Sequence, residues 1–357
     1  MPESLDTLID GLSAFCLPQN ATVKDAIQCL RQNGHGFAVV VDPRQQVVGT
    51  VLDATVRRAV LRGISREALI DQVISERPVL AEPAMTERAL IDLLHSHRVR
   101  CVPVVDDHRQ LQALHCLRGT RDDLLAPKAM IMAGGRGLRL RPVTDKVPKP
   151  LLRVGNRSIV ERIISGLALA GMKEIFLAVN YKAEIFEERL GTGEAMGVAI
   201  RYIREECPMG TAGALTLLPL SERGPILVSN GDIVTTIDFR RLLEFHWRYG
   251  GAITIAAVEY LSHIPYGVLR NVEHHVLSID EKPMRQDFCS AGIYVIEPHV
   301  LRLFEKQTYL DMPDMIAAVI AEGLPVHVFP ILEKWFDIGG SPEFERVLID
   351  FATGDEE

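Results

Sequence analysis

Residues 129–151 read AMIMAGGRGLRLRPVTDKVPKPL. The apolar run from Ala129 to Met132 predicts a buried strand, and it empties at once into a turn carrying Gly134, Gly135 and Gly137. A strand that delivers a glycine turn at its carboxyl end is how open α/β sheets present ligands. Without Cβ atoms, backbone N–H groups can approach anionic oxygens, while Arg136, Arg139, Arg141, Lys146 and Lys149 add opposing charge. The loop is therefore read as a cradle for a phosphate chain rather than as a basic surface turn. Two other phosphate loops are excluded. A dinucleotide fingerprint would need a glycine where Leu140 stands, and no Gly-Lys-Ser/Thr is present.

Outward from this loop toward the C-terminus, helical and strand patterns alternate. A helix from about Ser158 to Ala170 is stopped by Gly171, and a strand follows from Glu174 through IFLAV. The helix after Lys182 leads to the strand beginning at Val198. A helix over 211–218, the buried strand from Ile226, a helix from Phe239 to Tyr249 and a strand from Ala252 complete the alternation. The pattern predicts an α/β fold, a mostly parallel, Rossmann-like mixed sheet with helices on both faces. Beyond residue 264 the strands crowd together, which predicts a partly antiparallel layer. Polar residues at the ends of these strands become the candidate ligands, above all Asn230-Gly231-Asp232 after an apolar run.

The run GGRGLRLRPVT from Gly134, followed by Pro148-Lys149-Pro150, resembles the signature of the sugar-phosphate nucleotidyltransferases, GGxGTRLxPLT followed by PKP. Leu138 stands where threonine is usual, so one hydroxyl donor is missing. The resemblance continues in order down the chain, through the EECPMGTAG segment (Glu205 to Gly213), Asn230-Gly231-Asp232, Tyr266-Gly267-Val268, Glu281-Lys282-Pro283, Ser290-Ala291-Gly292 and Trp335-Phe336-Asp337-Ile338-Gly339. It implies nucleotide binding by Ala133, Gly134, Gly135, Gly137, Gly210, Thr211 and Gly213. Sugar-phosphate binding is implied for Gly267, Glu281, Lys282 and Gly292, and Mg²⁺ ligation for Asp232 and Asp337. Read singly, these residues also suit plain turns: an aspartate cap at 232, helix-start residues at 208 and 211, an exposed charged turn at 281–282.

The implied reaction joins two anions. A sugar 1-phosphate oxygen attacks the α-phosphorus of a nucleoside triphosphate and pyrophosphate leaves in line, so positioning and cations must do the work. Arg139 is assigned to the triphosphate and leaving group, Lys149 to the α-phosphate and incoming phosphate, and Lys282 to the sugar phosphate. A phosphate oxyanion is already a nucleophile, so no general base is needed, and none of the 11 histidines falls in a matched motif.

Before residue 127 the chain repeats itself weakly as helix, strand, turn, strand, helix. The first unit runs from Thr22-Val23-Lys24-Asp25 through FAVVVD, a turn at Pro43-Arg44 and Val47 to Val51. The second runs from Met85-Thr86-Glu87 through RCVPVVDD, a turn at His108-Arg109 and Leu111 to Leu114. These units, with the segment GTVLDATVRRAVLRG from Gly49, resemble a CBS-domain pair, a module that in many proteins binds adenine nucleotides and regulates an attached enzyme. Leu52 and Thr55 replace the threonine and aspartate that usually hold the nucleotide. A packing or dimerisation module is the alternative role. Residues 121–128 read as a linker, giving domains at 1–126 and 127–357.

Composition agrees with a globular enzyme. The 357 residues predict two or three domains, and 47% hydrophobic residues support substantial cores. A formal net charge of -8 argues against nucleic acid or an anionic membrane as partner. No run of about 20 apolar residues occurs. The six cysteines form no Cys-x-x-Cys and are read as reduced, packed thiols of a cytoplasmic protein. A CBS pair ahead of a transferase, together with Asp311-Met312-Pro313-Asp314 near the end, resembles the guanylyltransferases of legionaminic-acid biosynthesis. That likeness implies GTP and glucosamine 1-phosphate as substrates, Mg²⁺ as cofactor, a regulatory nucleotide at the pair and a homo-oligomer. Mannose-1-phosphate guanylyltransferase or another nucleotide-sugar pyrophosphorylase remains the alternative, and a nucleotide-sensing protein without turnover is the alternative of another class.

Overall fold

The glycine loop is launched by the strand Lys128–Met132, whose Ala129, Met130 and Ile131 are fully buried in the computed structural model. The structure describes residues 4–75, 77–97, 99–118, 127–219 and 224–352. Contacts divide the chain into two compact units, Met1–Leu125 and Ala126–Glu357.

In the second unit a seven-stranded sheet runs in the order Ala199–Arg204, Glu174–Val179, Lys128–Met132, Ile226–Asn230, Met284–Ile296, Ile253–His263, Val326–Pro330. Lys128–Met132 is flanked by parallel partners, Ile131 facing Leu177 on one side and Ser229 on the other. Only Met284–Ile296 runs against its neighbours, because it returns from the long excursion begun by Ile253–His263. The hairpin Val268–Val272 with His275–Asp280 lies within that excursion. Met130 joins a core with Val228, Ile253 and Met315, so the helix Met312–Ala321 covers one face. By strand alternation Ala129 and Ile131 point to the other.

The helix Ile159–Leu169 starts on a capping box, with Ser158 N–H donating to Glu161 Oε2 at 2.6 Å. Asp238 caps Phe239–Tyr249 by accepting from Arg240 N–H at 3.0 Å. One expected helix differs. Residues 211–218 form only the short 3-10 turn Gly213–Leu217. The N–H groups of Ala212 and Gly213 both donate to the Leu310 carbonyl, at 2.9 and 3.1 Å, which draws this turn onto the neighbouring segment instead of into an α-helical ladder.

In the first unit the repeat is visible down to the register. The hairpins Phe37–Val41 with Val47–Leu52 and Cys101–Val105 with Leu111–Arg118 carry a bulge at the same place, after Val40 and after Val104. Asp42 Oδ1 accepts from the N–H groups of Arg44 and Gln46, and Asp106 Oδ1 accepts from His108 and Gln110, so one Asx turn is built twice. Helices Val23–Asn33 and Glu87–His97 precede the hairpins, the first on a Thr22–Asp25 capping box. The helix expected to close the second unit, and residues 121–126 of the expected linker, lie outside the described residues.

The cysteine reading needs correction. Cys101 and Cys116 stand directly opposite each other in the second hairpin, their Cα atoms 4.2 Å apart, and their sulfurs are bonded. Sequence spacing hides such a pair, because its two members are joined by strand register and not by a short motif.

Candidate active site

At the end of Lys128–Met132 the backbone is pinned from both neighbouring strands. Ala133 N–H donates to the Ala178 carbonyl at 2.9 Å and Gly231 N–H to the Met132 carbonyl at 2.8 Å. The loop beyond then folds over Lys149. Gly137 takes φ +59, and a Cβ there would sit 3.1 Å from both Lys149 Cβ and Thr144 Cγ2. Thr144 Oγ1 donates to the Gly137 carbonyl at 2.8 Å and fixes the turn. Gly135 faces open space, which leaves its backbone accessible.

The two aspartates arrive by different routes and meet across a strand pair. Ile233–Thr235 pairs antiparallel with Trp335–Asp337, setting Ile233 opposite Asp337, and Ile338 N–H donates to the Asp232 carbonyl at 3.2 Å. Lys149 Nζ lies 2.6 Å from Asp232 Oδ2, the lysine side chain only 12% exposed. Partial burial, and after it the Asp232 charge, push the Asp337 carboxyl above its ordinary range, while Lys149 and Arg139 pull it back. Asp232, Asp337, Lys149 and Arg139 thus share one electrostatic field. Two hard carboxylates held in mutual repulsion beside a phosphate-type loop fit an oxygen-preferring divalent cation such as Mg²⁺.

A cleft of about 560 Å³ opens over Asp232, Lys149 and Arg139, while Asp337 lies off its lining. Its lining brings together nine of the expected positions: Ala133, Gly134, Gly135, Gly137, Arg139, Lys149, Gly210, Thr211 and Asp232. Gly339, two residues beyond Asp337, lines it too, and a Cβ there would lie 3.7 Å from Arg139 Nη1. Gly213 does not reach the wall. It is buried behind Gly210, where a Cβ would meet the Thr308 carbonyl at 2.6 Å.

The expected sugar-side residues lie off this lining. Gly267 and Glu281 meet at the base of the 268–280 hairpin, where a Cβ on Gly267 would be 3.0 Å from Glu281 Oε2. Lys282 follows in the left-handed region with φ +47, its side chain exposed. Gly292 reaches the cleft only through Asn230, whose Nδ2 would lie 2.5 Å from a Cβ there.

Two carboxylates in the cleft were given no role from the sequence. Glu205 lies against the glycine loop, its Oε1 2.8 Å from where a Gly134 Cβ would be, and Met209 N–H donates to its Oε2 at 3.2 Å. Burial raises its pKa. Asp311 accepts from Thr211 N–H at 3.0 Å and Thr211 Oγ1 at 3.2 Å through one oxygen, and from Tyr309 O–H at 2.8 Å through the other. Hydrogen bonding, led by the Thr211 N–H, holds Asp311 below its ordinary range. Glu205 did carry a signal, since it follows the strand Ala199–Arg204 at the sheet's carboxyl edge. Asp311 stood out only within the Asp311-Met312-Pro313-Asp314 segment and without a role, because its partner Thr211 is 100 residues away, while Tyr309 is its near neighbour.

Comparison with known proteins agrees with this geometry. The profile of the nucleotidyl transferase family matches residues 128–352, and that of the CBS domain matches residues 13–62. A mannose-1-phosphate guanyltransferase of Pichia angusta is 37% identical over 226 residues, covering 61% of this chain and 62% of the relative. One from Debaryomyces hansenii is 35% identical over 236 residues, covering 63% and 65%. The chain therefore spans less than two thirds of the length of these relatives. The crystal structure of a candidate glucose-1-phosphate thymidylyltransferase from Bacillus anthracis superposes with a TM-score of 0.50 at 22% identity, over 63% of this chain and 94% of that one, and shares the fold. Among the described residues no helix is long and apolar enough to cross a membrane.

Proposed function

This chain belongs to the nucleotidyl transferase family, and from that premise we propose that it transfers a guanylyl group from GTP to a hexose 1-phosphate, releasing pyrophosphate. The observation that carries the choice of base is Glu205. Its carboxylate presents two acceptors beside the glycine loop, and guanine alone among the common bases offers an N–H and an NH₂ side by side on one edge. Adenine and cytosine would meet the carboxylate with a ring-nitrogen acceptor, and uracil and thymine would flank their single donor with carbonyls. Both curated relatives described above are named as guanyltransferases, which supports the same base.

In this reading the glycine loop binds the triphosphate through backbone N–H groups. Arg139 lies over the leaving pyrophosphate and neutralises charge developing there. Lys149, drawn to Asp232 in the resting protein, is oriented toward the α-phosphate and the entering sugar phosphate. Asp232 and Asp337 would hold Mg²⁺, which when bound screens the phosphate oxygens from one another and polarises the reacting phosphorus. Glu281 and Lys282 would take the sugar hydroxyls and sugar phosphate from the hairpin base. Residues 1–126 would form the regulatory or oligomer-forming CBS module and 127–357 the catalytic domain. Leu52, which caps Asp53–Leu61 without a side-chain hydrogen bond, and Thr55 weaken an adenine-nucleotide site there.

The test is pyrophosphate release with Mg²⁺ over GTP, ATP, UTP, CTP and dTTP crossed with the 1-phosphates of glucosamine, mannose, glucose and N-acetylglucosamine. Release with GTP is expected, and the better of glucosamine and mannose 1-phosphate identifies the sugar. Silence across the whole matrix, from a protein that still binds GTP, would replace catalysis by nucleotide sensing.

A further inference from the structure

The first unit contains four of the chain's cysteines, and they fall into two kinds. Cys16 and Cys29 each donate their thiol to a backbone carbonyl at 3.3 Å, those of Leu12 and Ala14, and burial raises both pKa values. They are protonated packing groups. Cys101 and Cys116 instead face each other across the second hairpin, 96% buried, in an apolar cluster with Phe15, Phe37, Val39 and Leu114. The first half of the repeat supplies a third ligand type at the same spot. A ring nitrogen of His35 and the two sulfurs all lie within 4.8 Å of one another.

His35 is held where it is. It lies on a turn between Gly34 and Gly36, both at positive φ, and the Asn33 amide staples that turn from both sides. Asn33 Oδ1 accepts from His35 N–H at 2.9 Å, and its Nδ2 donates to the Phe37 carbonyl at 2.9 Å. The ring also packs on Phe15, with centroids 5.3 Å apart.

We propose that His35, Cys101 and Cys116 form a site for one zinc(II) ion when the two thiols are reduced. Zinc takes thiolates at about 2.3 Å and imidazole at about 2.0–2.1 Å, which in a tetrahedron puts the ligand atoms roughly 3.3–3.8 Å apart; the three atoms lie within 4.8 Å of one another, and the bonded sulfurs must part on reduction before they can take the ion. His35 is exposed, so water is at hand as a fourth ligand. Reduction by a phosphine consumes the disulfide and one water and gives two thiols and a phosphine oxide. Zinc then displaces two thiol protons and forms two Zn–S bonds. Two thiolates in an apolar cluster are costly alone, and the cation removes that cost. Soft sulfur and imidazole select zinc here, whereas the carboxylates at the cleft select a hard cation, so the two metal sites of the chain do not compete. Because the ligands come from both halves of the repeat, the ion ties those halves together.

Cobalt(II), the spectroscopic stand-in for zinc, tests this on the full chain after anaerobic phosphine reduction. One equivalent per chain is expected to produce thiolate charge-transfer and tetrahedral visible bands that zinc bleaches. Cys116→Ser should lose the bands. His35→Ala, checked to melt like wild type, should weaken cobalt binding by at least about tenfold, since even outer-shell partners cost about 10–100-fold. Bands that are absent after reduction, that persist in Cys116→Ser because exposed Cys207 or Cys289 supplies them, or that are unchanged in His35→Ala would overturn the proposal.

Discussion

Replacing Glu205 by glutamine keeps the shape of the side chain and changes one acceptor into a donor. The internal contact survives, because an amide oxygen can still accept from Met209 N–H, now at 3.2 Å. The edge offered to the base does not survive: one of guanine's two donor groups then meets another donor. A hydrogen bond to a charged group contributes about 1.5–3 kcal/mol, which is roughly 10- to 150-fold in kcat/KM. The assay is steady-state pyrophosphate release with GTP and with ITP, which lacks the 2-amino group, at saturating sugar phosphate. Wild type should prefer GTP. Glu205→Gln should lose 10- to 150-fold on GTP and much less on ITP, so that the preference collapses. The pH profile adds an independent check. Burial raises the Glu205 pKa, so wild-type GTP selectivity should begin to fall, as pH drops, above the ordinary carboxylate range, and the variant should show no such step. An unchanged GTP/ITP ratio in a variant that melts like wild type would refute the role given to Glu205.

Three other substitutions probe the rest of the cleft and its flank. Asp232→Asn leaves Lys149 without its carboxylate partner and removes a charge proposed to hold Mg²⁺, and should lower pyrophosphate release by at least about 10²-fold with an unchanged fold by circular dichroism. Asp337→Asn should raise stability. With a folded pKa above the unfolded one, the folded protein holds its proton longer, so stability is lost as pH rises through that window and stays lost above it. The variant should therefore melt higher than wild type at neutral pH without Mg²⁺ while losing turnover, and equal melting would count against the repulsion. Gly210→Ala places a Cβ 2.5 Å from the Leu310 carbonyl at φ +76, and should cost about 1–3 kcal/mol of stability in urea titration and raise the KM for GTP.

Much of the fold was legible because its signals are local. The apolar run 129–132, the Ser158–Glu161 box and the Asp238 cap each depend on neighbours within four residues, and the helix Phe239–Tyr249 has the bounds that periodicity predicts. The 211–218 helix was misread because its hydrogen bonds are taken by Leu310, beyond any local window. Residue types pointed to the glycine-rich basic loop, whereas the roles of Lys149, Asp232 and Asp337 rested on the resemblance to the nucleotidyltransferase signature, because a lone aspartate after a strand suits a turn cap as well.

Sequence by itself determined the alternation of strands and helices, the phosphate-type loop and the duplicated N-terminal module, because period, turn chemistry and charge are written residue by residue. Tertiary structure alone decided which distant groups meet: Lys149 with Asp232, Glu205 against Gly134, Asp311 under Thr211, and Cys101 opposite Cys116 beside His35. The physical reason is range. Hydrogen bonds and ion pairs act over a few ångströms, and which side chains come that close is set by strand order and register.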